Sequence, residues 1–270
     1  MTQLRMTQDG NIAVLRFSNP PHGYMDDETE RELAAALDHI EGEETIRAVI
    51  LTGGDRDVFI RHYDVGLLHA RGAALAARGL RFDPARPVPE APIHACLRRI
   101  ATMPKPFIAA INGTAMGGGF ELALACDIRL VQDGDYDLGL PEINLGILPG
   151  AGGTQRMTRL IGEAKALELM LLGSTLRPRE AAALGLASAL VAGDVMEKAL
   201  EIARRLAARS PRAIAYIKDL VRGLPERSSE DGFARERTLF CDLMVSADGL
   251  REMGEMAAGR RDILTAPGQG

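Results

Sequence analysis

The sequence is poor in aromatic residues: its 270 residues include no tryptophan, four tyrosines and seven phenylalanines. Proteins that bind single-stranded nucleic acid stack the bases on such rings, so an interface of this kind is not expected. The net charge of −5 favours the same conclusion, because binding to a phosphate backbone needs a broad basic surface. We therefore expect no nucleic-acid partner.

Cysteine is also scarce, with only Cys96, Cys126 and Cys241. They lie far apart and include no CxxC pair, so the sequence predicts neither a disulfide framework nor a metal site. The odd number is typical of a protein from a reducing compartment. Cys126 lies in an apolar stretch and is expected to be buried.

Long hydrophobic runs are missing as well. No run approaches the length that spans a bilayer, and residues 1–5 contain no apolar signal core. We therefore expect a cytoplasmic location and no membrane partner. Hydrophobic residues make up 46% of the chain and charged residues 26%, which is usual for a globular protein with a sizeable core.

The order of the predicted elements favours a layered α/β fold. Residues 11–18 alternate like a strand, residues 27–40 have helical spacing after an aspartate cap, and residues 48–52 form an apolar strand. This order is typical of a right-handed crossover. The later chain is almost entirely helical. We predict an α/β core over residues 1–200 and a helical segment over residues 201–270.

One stretch between these elements has two interpretations. Residues 81–92 contain four prolines and show little periodicity. They form either a loop over a functional site or a tolerated surface insertion.

The stretch 105–127 combines a strand, a glycine-rich turn and a helix. Residues 107–111 are apolar and short, which predicts a buried strand, and residues 120–126 predict a buried helix. Between them, Gly117–Gly119 opens the helix with free N–H groups at the positive end of its dipole. Such groups can hold an anion or an oxygen that becomes anionic during a reaction. Glu121 lies one turn inside this helix.

Neither glycine-rich loop matches a nucleotide-binding motif. A P-loop has lysine and then serine or threonine after its last glycine, but Gly153 is followed by Thr154 and Gln155. A Rossmann fingerprint starting at Gly150 would need a sixth-position glycine where Gln155 stands. We therefore expect neither a nicotinamide cofactor nor ATP.

Two blocks of the sequence resemble the enoyl-CoA hydratase/isomerase (crotonase) superfamily. They are residues 105–127 and residues 141–156, and the likeness extends from about residue 11 to about residue 261. The resemblance implies a ββα superhelix core with C-terminal helices that assemble a homotrimer or a dimer of trimers. It also implies an acyl-CoA substrate and no separate cofactor, because the CoA thioester is itself the substrate.

The resemblance further implies a site with two glutamates and a backbone oxyanion hole. The N–H of Gly118 is the expected first donor to the thioester oxygen. Glu121 is expected to activate water, and Glu142 to exchange the proton at Cα of the substrate. From the residues alone, Glu121 is equally well explained by the helix dipole, and Glu142 as a loop or salt-bridge residue.

The presence of both glutamates favours hydration over double-bond isomerisation. We therefore expect an enoyl-CoA hydratase. The alternatives are another crotonase-type acyl-CoA enzyme (isomerase, decarboxylase, hydrolase or C–C lyase) and a non-catalytic assembly protein with this fold. The acyl chain length is not predicted.

The segment 59–65 departs from the family pattern. Phe59, Asp64 and Val65 match it, but the small residues usually found between them are replaced by Arg61-His62-Tyr63. Tyr63 therefore takes the position whose backbone N–H is expected to complete the oxyanion hole. His62 is better explained as a structural residue than as a base, because no partner residue accompanies it.

Other residues are expected to contact the substrate. Arg61 either meets the anionic part of CoA or is a solvated surface residue. Arg261, in the basic Arg260-Arg261 pair, either reaches a neighbouring subunit's ligand or complements a helix dipole. The predicted substrate-binding set is Arg61, Asp64, Val65, Gly117, Pro141, Gly150 and Arg261.

Overall fold

Strands and helices alternate through most of the chain, and the computed structural model describes residues 2–264. The strands are β1 (Leu4–Asp9), β2 (Ile12–Phe17), β3 (Tyr24–Met25), β4 (Ala48–Gly53), β5 (Asp57–Ile60), β6 (His62–Tyr63), β7 (Phe107–Ile111), β8 (Gly113–Met116), β9 (Ile128–Gln132), β10 (Leu138–Gly139), β11 (Thr175–Leu176) and β12 (Ala189–Val191). The helices are α1 (Asp27–Gly42), α2 (Val65–Ala77), α3 (Pro92–Thr102), α4 (Gly118–Ala125), α5 (Gly153–Ile161), α6 (Glu163–Leu172), α7 (Pro178–Ala183), α8 (Val195–Ala207), α9 (Pro211–Arg222), α10 (Ser229–Met244) and α11 (Ala247–Ala257).

The strands form two main sheets and one short pair. The larger sheet has the order β1-β2-β4-β7-β9-β12, in which only the β1–β2 pair is antiparallel. The smaller sheet has the order β11-β10-β8-β5, and β3 pairs with β6. The predicted α/β class is therefore confirmed. The edge strand β1 was not predicted, because it is largely exposed and lacks a clear apolar pattern.

Both faces of the larger sheet are buried. Along β7 the odd-numbered residues join one hydrophobic cluster, and the even-numbered residues join the other. The second cluster includes Ala199 and Ala203 of α8, so this helix covers one face of the sheet. A strand buried on both faces needs an apolar run rather than an alternation, which explains the sequences of β4 and β7.

Helix α1 begins at a strong cap. Asp26 Oδ1 accepts hydrogen bonds from the N–H groups of Glu28 (2.9 Å) and Thr29 (3.1 Å), and the hydroxyl of Thr29 accepts one from the N–H of Asp26. This capping box fixes the first turn of α1. Either Asp26 or Asp27 could be the aspartate cap predicted from the sequence, and the structure selects Asp26.

The chain passes from the larger to the smaller sheet at Asn112, between β7 and β8. The Asn112 side chain accepts a hydrogen bond from the N–H of Gly53 (2.9 Å) and donates one to the carbonyl of Asp55 (3.1 Å). Strand β8 then leads into α4, whose residues Gly119–Ala125 are all buried. Its apolar surface on every side is typical of a helix in the core, and Cys126 after it is buried as predicted.

The last helices form the predicted C-terminal helical segment. Helix α9 is anchored by Lys218 and Arg222, which lie 2.7 and 3.1 Å from the carboxylate of Asp127. Helices α10 and α11 bury none of their residues. The predicted boundary between the α/β core and the helical segment, at residue 200, falls inside α8 and stays a prediction. Within residues 2–264, no helix has the length and apolarity needed to cross a membrane.

Candidate active site

The glycines at the start of α4 serve two different purposes. Gly117 has φ +51°, a left-handed conformation that favours glycine, and its N–H donates to the carbonyl of Gly139 at 3.0 Å. At Gly119, a Cβ atom would stand 2.2 Å from the carbonyl oxygen of Ile60, so this position must be glycine for packing. Gly118, between them, faces a cavity at the helix N-terminus, where N–H groups lack intrahelical partners.

Tyr63 lies directly beside Gly118. A Cβ atom built on Gly118 would stand 3.5 Å from Cβ of Tyr63 and 3.2 Å from the sulfur of Met25. Tyr63 pairs with Met25 across the two short strands β3 and β6. The structure therefore brings the two predicted oxyanion-hole residues together at one wall of the cavity.

Glu121 is buried and fixed by the start of α5. Its Oε1 accepts hydrogen bonds from the N–H groups of Ala151 and Gly153, both at 2.7 Å, and the side chain is only 2% exposed. A Cβ atom on Gly153 would stand 2.9 Å from the same oxygen, so a larger residue there would displace the carboxylate. Burial raises the pKa of Glu121, while the two N–H donors and nearby Arg156 oppose this effect.

Glu142 begins a 3-10 turn, Glu142–Leu145, directly after Pro141. Its Oε2 is buried and, within residues 2–264, has no hydrogen-bond partner. Its Oε1 would lie 3.2 Å from a Cβ atom on Gly117, so it is close to the start of α4. Burial, with a smaller contribution from the charge of Glu121, raises the pKa of Glu142 to about 7.

The two carboxyl groups therefore differ in their preferred protonation state. Backbone N–H donors stabilise the ionised form of Glu121, whereas Glu142 has a buried oxygen without such a donor. Near neutral pH, Glu142 is therefore the better proton donor of the two. Such a difference between neighbouring carboxyls is what one acid and one base require.

Both carboxyls line a cavity of about 1010 Å³. This volume lies at the upper end of the range for small-molecule sites. One part of its wall is apolar and consists of Leu68, Ile93, Leu145, Ile147 and Leu148. The cavity therefore offers an apolar surface next to a pair of acid/base groups and the N-terminus of α4.

Most of the predicted site residues line this cavity. They are Tyr63, Val65, Gly117, Gly118, Glu121, Pro141, Glu142 and Gly150. Three others are placed elsewhere within the described chain. Arg61 is exposed, the Asp64 carboxylate caps α2 by accepting from the N–H of Leu67 (3.0 Å), and Arg261 pairs with Glu252. Their predicted substrate contacts stay predictions.

His94 was missed from the sequence and supports the loop that holds Glu121. Its Nδ1 accepts from the N–H of Ala91 (3.1 Å), so its Nε2 carries the proton and donates to the carbonyl of Gly150 (2.7 Å). The sequence signal for this role is weak: His94 lies in the first turn of a helix that begins at Pro92, where a side chain can accept from the capping N–H. The open question about residues 81–92 is partly answered, because Ala91 and Pro92 line the cavity.

A polar cluster around the Tyr63 hydroxyl was also missed. It comprises Asp27 and Glu30 of α1 and Arg71 of α2, all of which line the cavity. These residues are 8 to 36 positions from Tyr63, so no local motif connects them. Among residues 2–264, no group of three or more His, Cys, Asp or Glu side chains is arranged to hold a metal ion.

The fold and this site define a class of protein. Residues 7–258 match the enoyl-CoA hydratase/isomerase family, and the chain belongs to that family. The resemblance inferred from residues 105–127 and 141–156 is therefore confirmed.

Relatives within the family include proteins named for hydration. The chain is 36% identical to a probable enoyl-CoA hydratase of Bacillus subtilis (strain 168), over 92% of this chain and 93% of that protein. It is 32% identical to a short-chain-enoyl-CoA hydratase of Clostridium acetobutylicum, over 90% of each. A crystal structure of enoyl-CoA hydratase from Bacillus anthracis is 29% identical, with a TM-score of 0.84, over 95% of this chain and 96% of that one.

Proposed function

We propose that the protein is an enoyl-CoA hydratase, which adds water across the 2,3-double bond of an enoyl-CoA to give a 3-hydroxyacyl-CoA. The observation that carries this proposal is the pair Glu121 and Glu142 in one cavity, where backbone N–H donors favour the ionised form of Glu121 and burial raises the pKa of Glu142 to about 7. The names of the hydratase relatives support it.

The mechanism follows from the two carboxyls. The Glu121 carboxylate accepts a proton from water as the water oxygen bonds to Cβ of the substrate. The electron pair of the double bond moves toward the thioester oxygen, which the N–H groups of Gly118 and Tyr63 stabilise. One such donor typically lowers a barrier by about 3–4 kcal/mol. Glu142 then delivers its proton to Cα, and proton exchange with solvent restores both carboxyls.

The remaining substrate contacts are proposed from the family pattern. The thioester would lie along Val65, Gly117, Pro141 and Gly150, and Arg61 or Arg261 would meet the anionic part of CoA. Asp64 would act by fixing the start of α2. No cofactor is required for this chemistry.

Assembly into a homotrimer or a dimer of trimers is also proposed. Several large apolar side chains of the C-terminal helices are exposed in the single chain, which supports an interface there: Ile217, Val221, Phe233, Phe240, Leu250 and Met253. The cytoplasmic location stays a prediction.

The direct test is hydration of crotonyl-CoA by the purified protein. We expect the absorbance of the conjugated enoyl thioester to disappear as 3-hydroxybutyryl-CoA forms. Glu121→Gln and Glu142→Gln should each lower kcat by about 10²–10⁴, the usual contribution of a general acid or base. Glu197→Gln, at an exposed position on α8, is the matched control.

Two results would contradict the proposal. Undiminished hydration by Glu142→Gln would exclude the two-carboxylate mechanism. Binding of CoA esters without any hydration would assign the chain to another reaction of the same family, and a CoA-linked product analysis would then identify it.

A further inference from the structure

The hydroxyl of Tyr63 is held from two helices. It donates to Glu30 Oε1 at 2.8 Å and lies 3.1 Å from Asp27 Oδ1, and Nη1 of Arg71 donates to it at 3.2 Å. Arg71 also forms an ion pair with Asp27. The tyrosine side chain is thus connected to α1 through Glu30 and Asp27 and to α2 through Arg71.

One member of this cluster is buried, whereas Arg71 and Asp27 form an exposed ion pair. Glu30 is only 7% exposed, so its carboxylate depends on hydrogen bonds rather than on water. The guanidinium of Arg71 lies 6.0 Å from the centroid of the Tyr63 ring. The hydrogen bonds at the hydroxyl and the cation beside the ring therefore both favour the observed orientation of the Tyr63 side chain.

The backbone at Tyr63 belongs to a short strand. Strand β6 contains two residues and pairs only with the two-residue β3. Helix α2, which follows Asp64, buries none of its residues. Neither a long ladder nor a packed helix fixes the peptide that is expected to complete the oxyanion hole. The bonds at the far end of the rigid ring add to the backbone hydrogen bonds on either side of this peptide, from the N–H of Asp64 to the carbonyl of Met25 (2.8 Å) and from the N–H of Arg61 to the carbonyl of Gly23 (2.9 Å).

We propose that the side chain of Tyr63 is a positioning residue: Glu30, Asp27 and Arg71 hold its hydroxyl so that its own backbone N–H stays aimed at the thioester oxygen. This inference rests on the proposed function. It gives a reason for a bulky residue in a segment where the family pattern has small ones. A donor misplaced by a fraction of an ångström loses much of its effect on the transition state.

The test compares Tyr63→Phe with a matched control elsewhere in the chain. Tyr216 has the same arrangement: its hydroxyl donates to Asp242 at 2.6 Å, and Arg212 donates to it at 3.3 Å. The Arg212 guanidinium lies 5.8 Å from the Tyr216 ring, and this cluster lies outside the cavity. Tyr216→Phe therefore removes an equivalent hydroxyl without touching the site.

We expect Tyr63→Phe to lower kcat for crotonyl-CoA hydration about tenfold or more while KM changes less than about twofold. Tyr216→Phe should leave kcat unchanged. Glu30→Gln keeps an oxygen that accepts from the hydroxyl and should retain most of kcat, whereas Glu30→Ala should resemble Tyr63→Phe. The double variant with both Tyr63→Phe and Glu30→Ala should be no slower than either single variant, because both remove the same constraint.

A spectroscopic probe separates this inference from the proposed function. The absorption of bound dimethylaminocinnamoyl-CoA moves to longer wavelength when hydrogen bonds polarise its thioester carbonyl. We expect a smaller displacement in Tyr63→Phe than in the wild type and in Tyr216→Phe. The positioning role would be overturned if Tyr63→Phe shifted the absorption of the probe as far as the wild type does and kept the kcat of the wild type. A wild type that polarises the probe but hydrates neither crotonyl-CoA nor a longer or aromatic enoyl-CoA would refute the hydratase function alone, and the comparison of the variants would still decide the role of Tyr63.

Discussion

Glu142 is expected to reduce the stability of the protein at alkaline pH. Raising the pKa of this carboxyl from 4.5 to about 7 favours its protonated form in the folded state. The folded chain therefore holds a proton that the unfolded chain has lost, and stability falls as pH rises between these values. This loss of folding stability is small at pH 5 and reaches its full size above pH 7.

The magnitude follows from the same two values. At pH 8 the ionised Glu142 costs about 3 kcal/mol, and at pH 5 it costs less than about 1 kcal/mol. Glu142→Gln has no charge to bury, so its stability relative to the wild type should increase by about 2–3 kcal/mol between pH 5 and pH 8. For a chain of this size, that corresponds to a Tm difference of about 5–10 °C.

Thermal unfolding of the wild type and Glu142→Gln at several pH values tests this expectation. Glu197→Gln on the exposed face of α8 controls for the loss of a negative charge alone. The variant should be more stable and less active at pH 8, and nearly as stable as the wild type at pH 5. Parallel stability profiles for the two proteins would refute the argument that partial burial, with an Oε2 that has no hydrogen-bond partner within residues 2–264, raises the pKa of Glu142.

The remaining predictions concern the same site. The kcat/KM of hydration should fall as pH rises above about 7, because Glu142 loses the proton that it donates; a rate that stays constant to pH 9 would contradict this role. Gly119→Ala should destabilise the fold by about 3 kcal/mol or more, measured by urea unfolding, because its Cβ meets the carbonyl of Ile60, whereas Gly72→Ala, with open space inside α2, should stabilise by up to about 1 kcal/mol. His94→Ala should speed amide hydrogen exchange at Ala151 and Gly153, because Gly150 loses its hydrogen bond; unchanged exchange would show that the loop does not depend on His94.

Much of the fold could be predicted from local patterns. The cap at Asp26, the two-sided burial of β7 and the apolar helix α4 each follow from a short stretch of sequence. The glycine-rich turn was harder to interpret, because glycines at the start of a helix suit either close packing against a strand or a bound ligand. The structure assigns the two features to different residues: Gly119 packs against Ile60, and Gly118 faces the cavity, where its role stays a prediction.

The site itself could be predicted only in part. From the residues alone, Glu121 and Glu142 each had an ordinary structural explanation, and only the family resemblance placed them in one site. The hydrogen bonds of His94 and of the Tyr63 hydroxyl join residues that are distant in sequence and carry no spacing rule. Such contacts depend on how whole elements meet, so no local pattern encodes them.

The way in which Glu121 is held also affects the product. One oxygen of this carboxylate is committed to the N–H groups of Ala151 and Gly153, so the group cannot rotate between two positions. If it activates water, it does so from one side of a double bond whose thioester is fixed at the start of α4. Water then reaches only one face of the planar substrate, and the new alcohol is formed as a single enantiomer. In the proposed mechanism, the hydrogen bonds that stabilise the loop therefore also determine the handedness of the product.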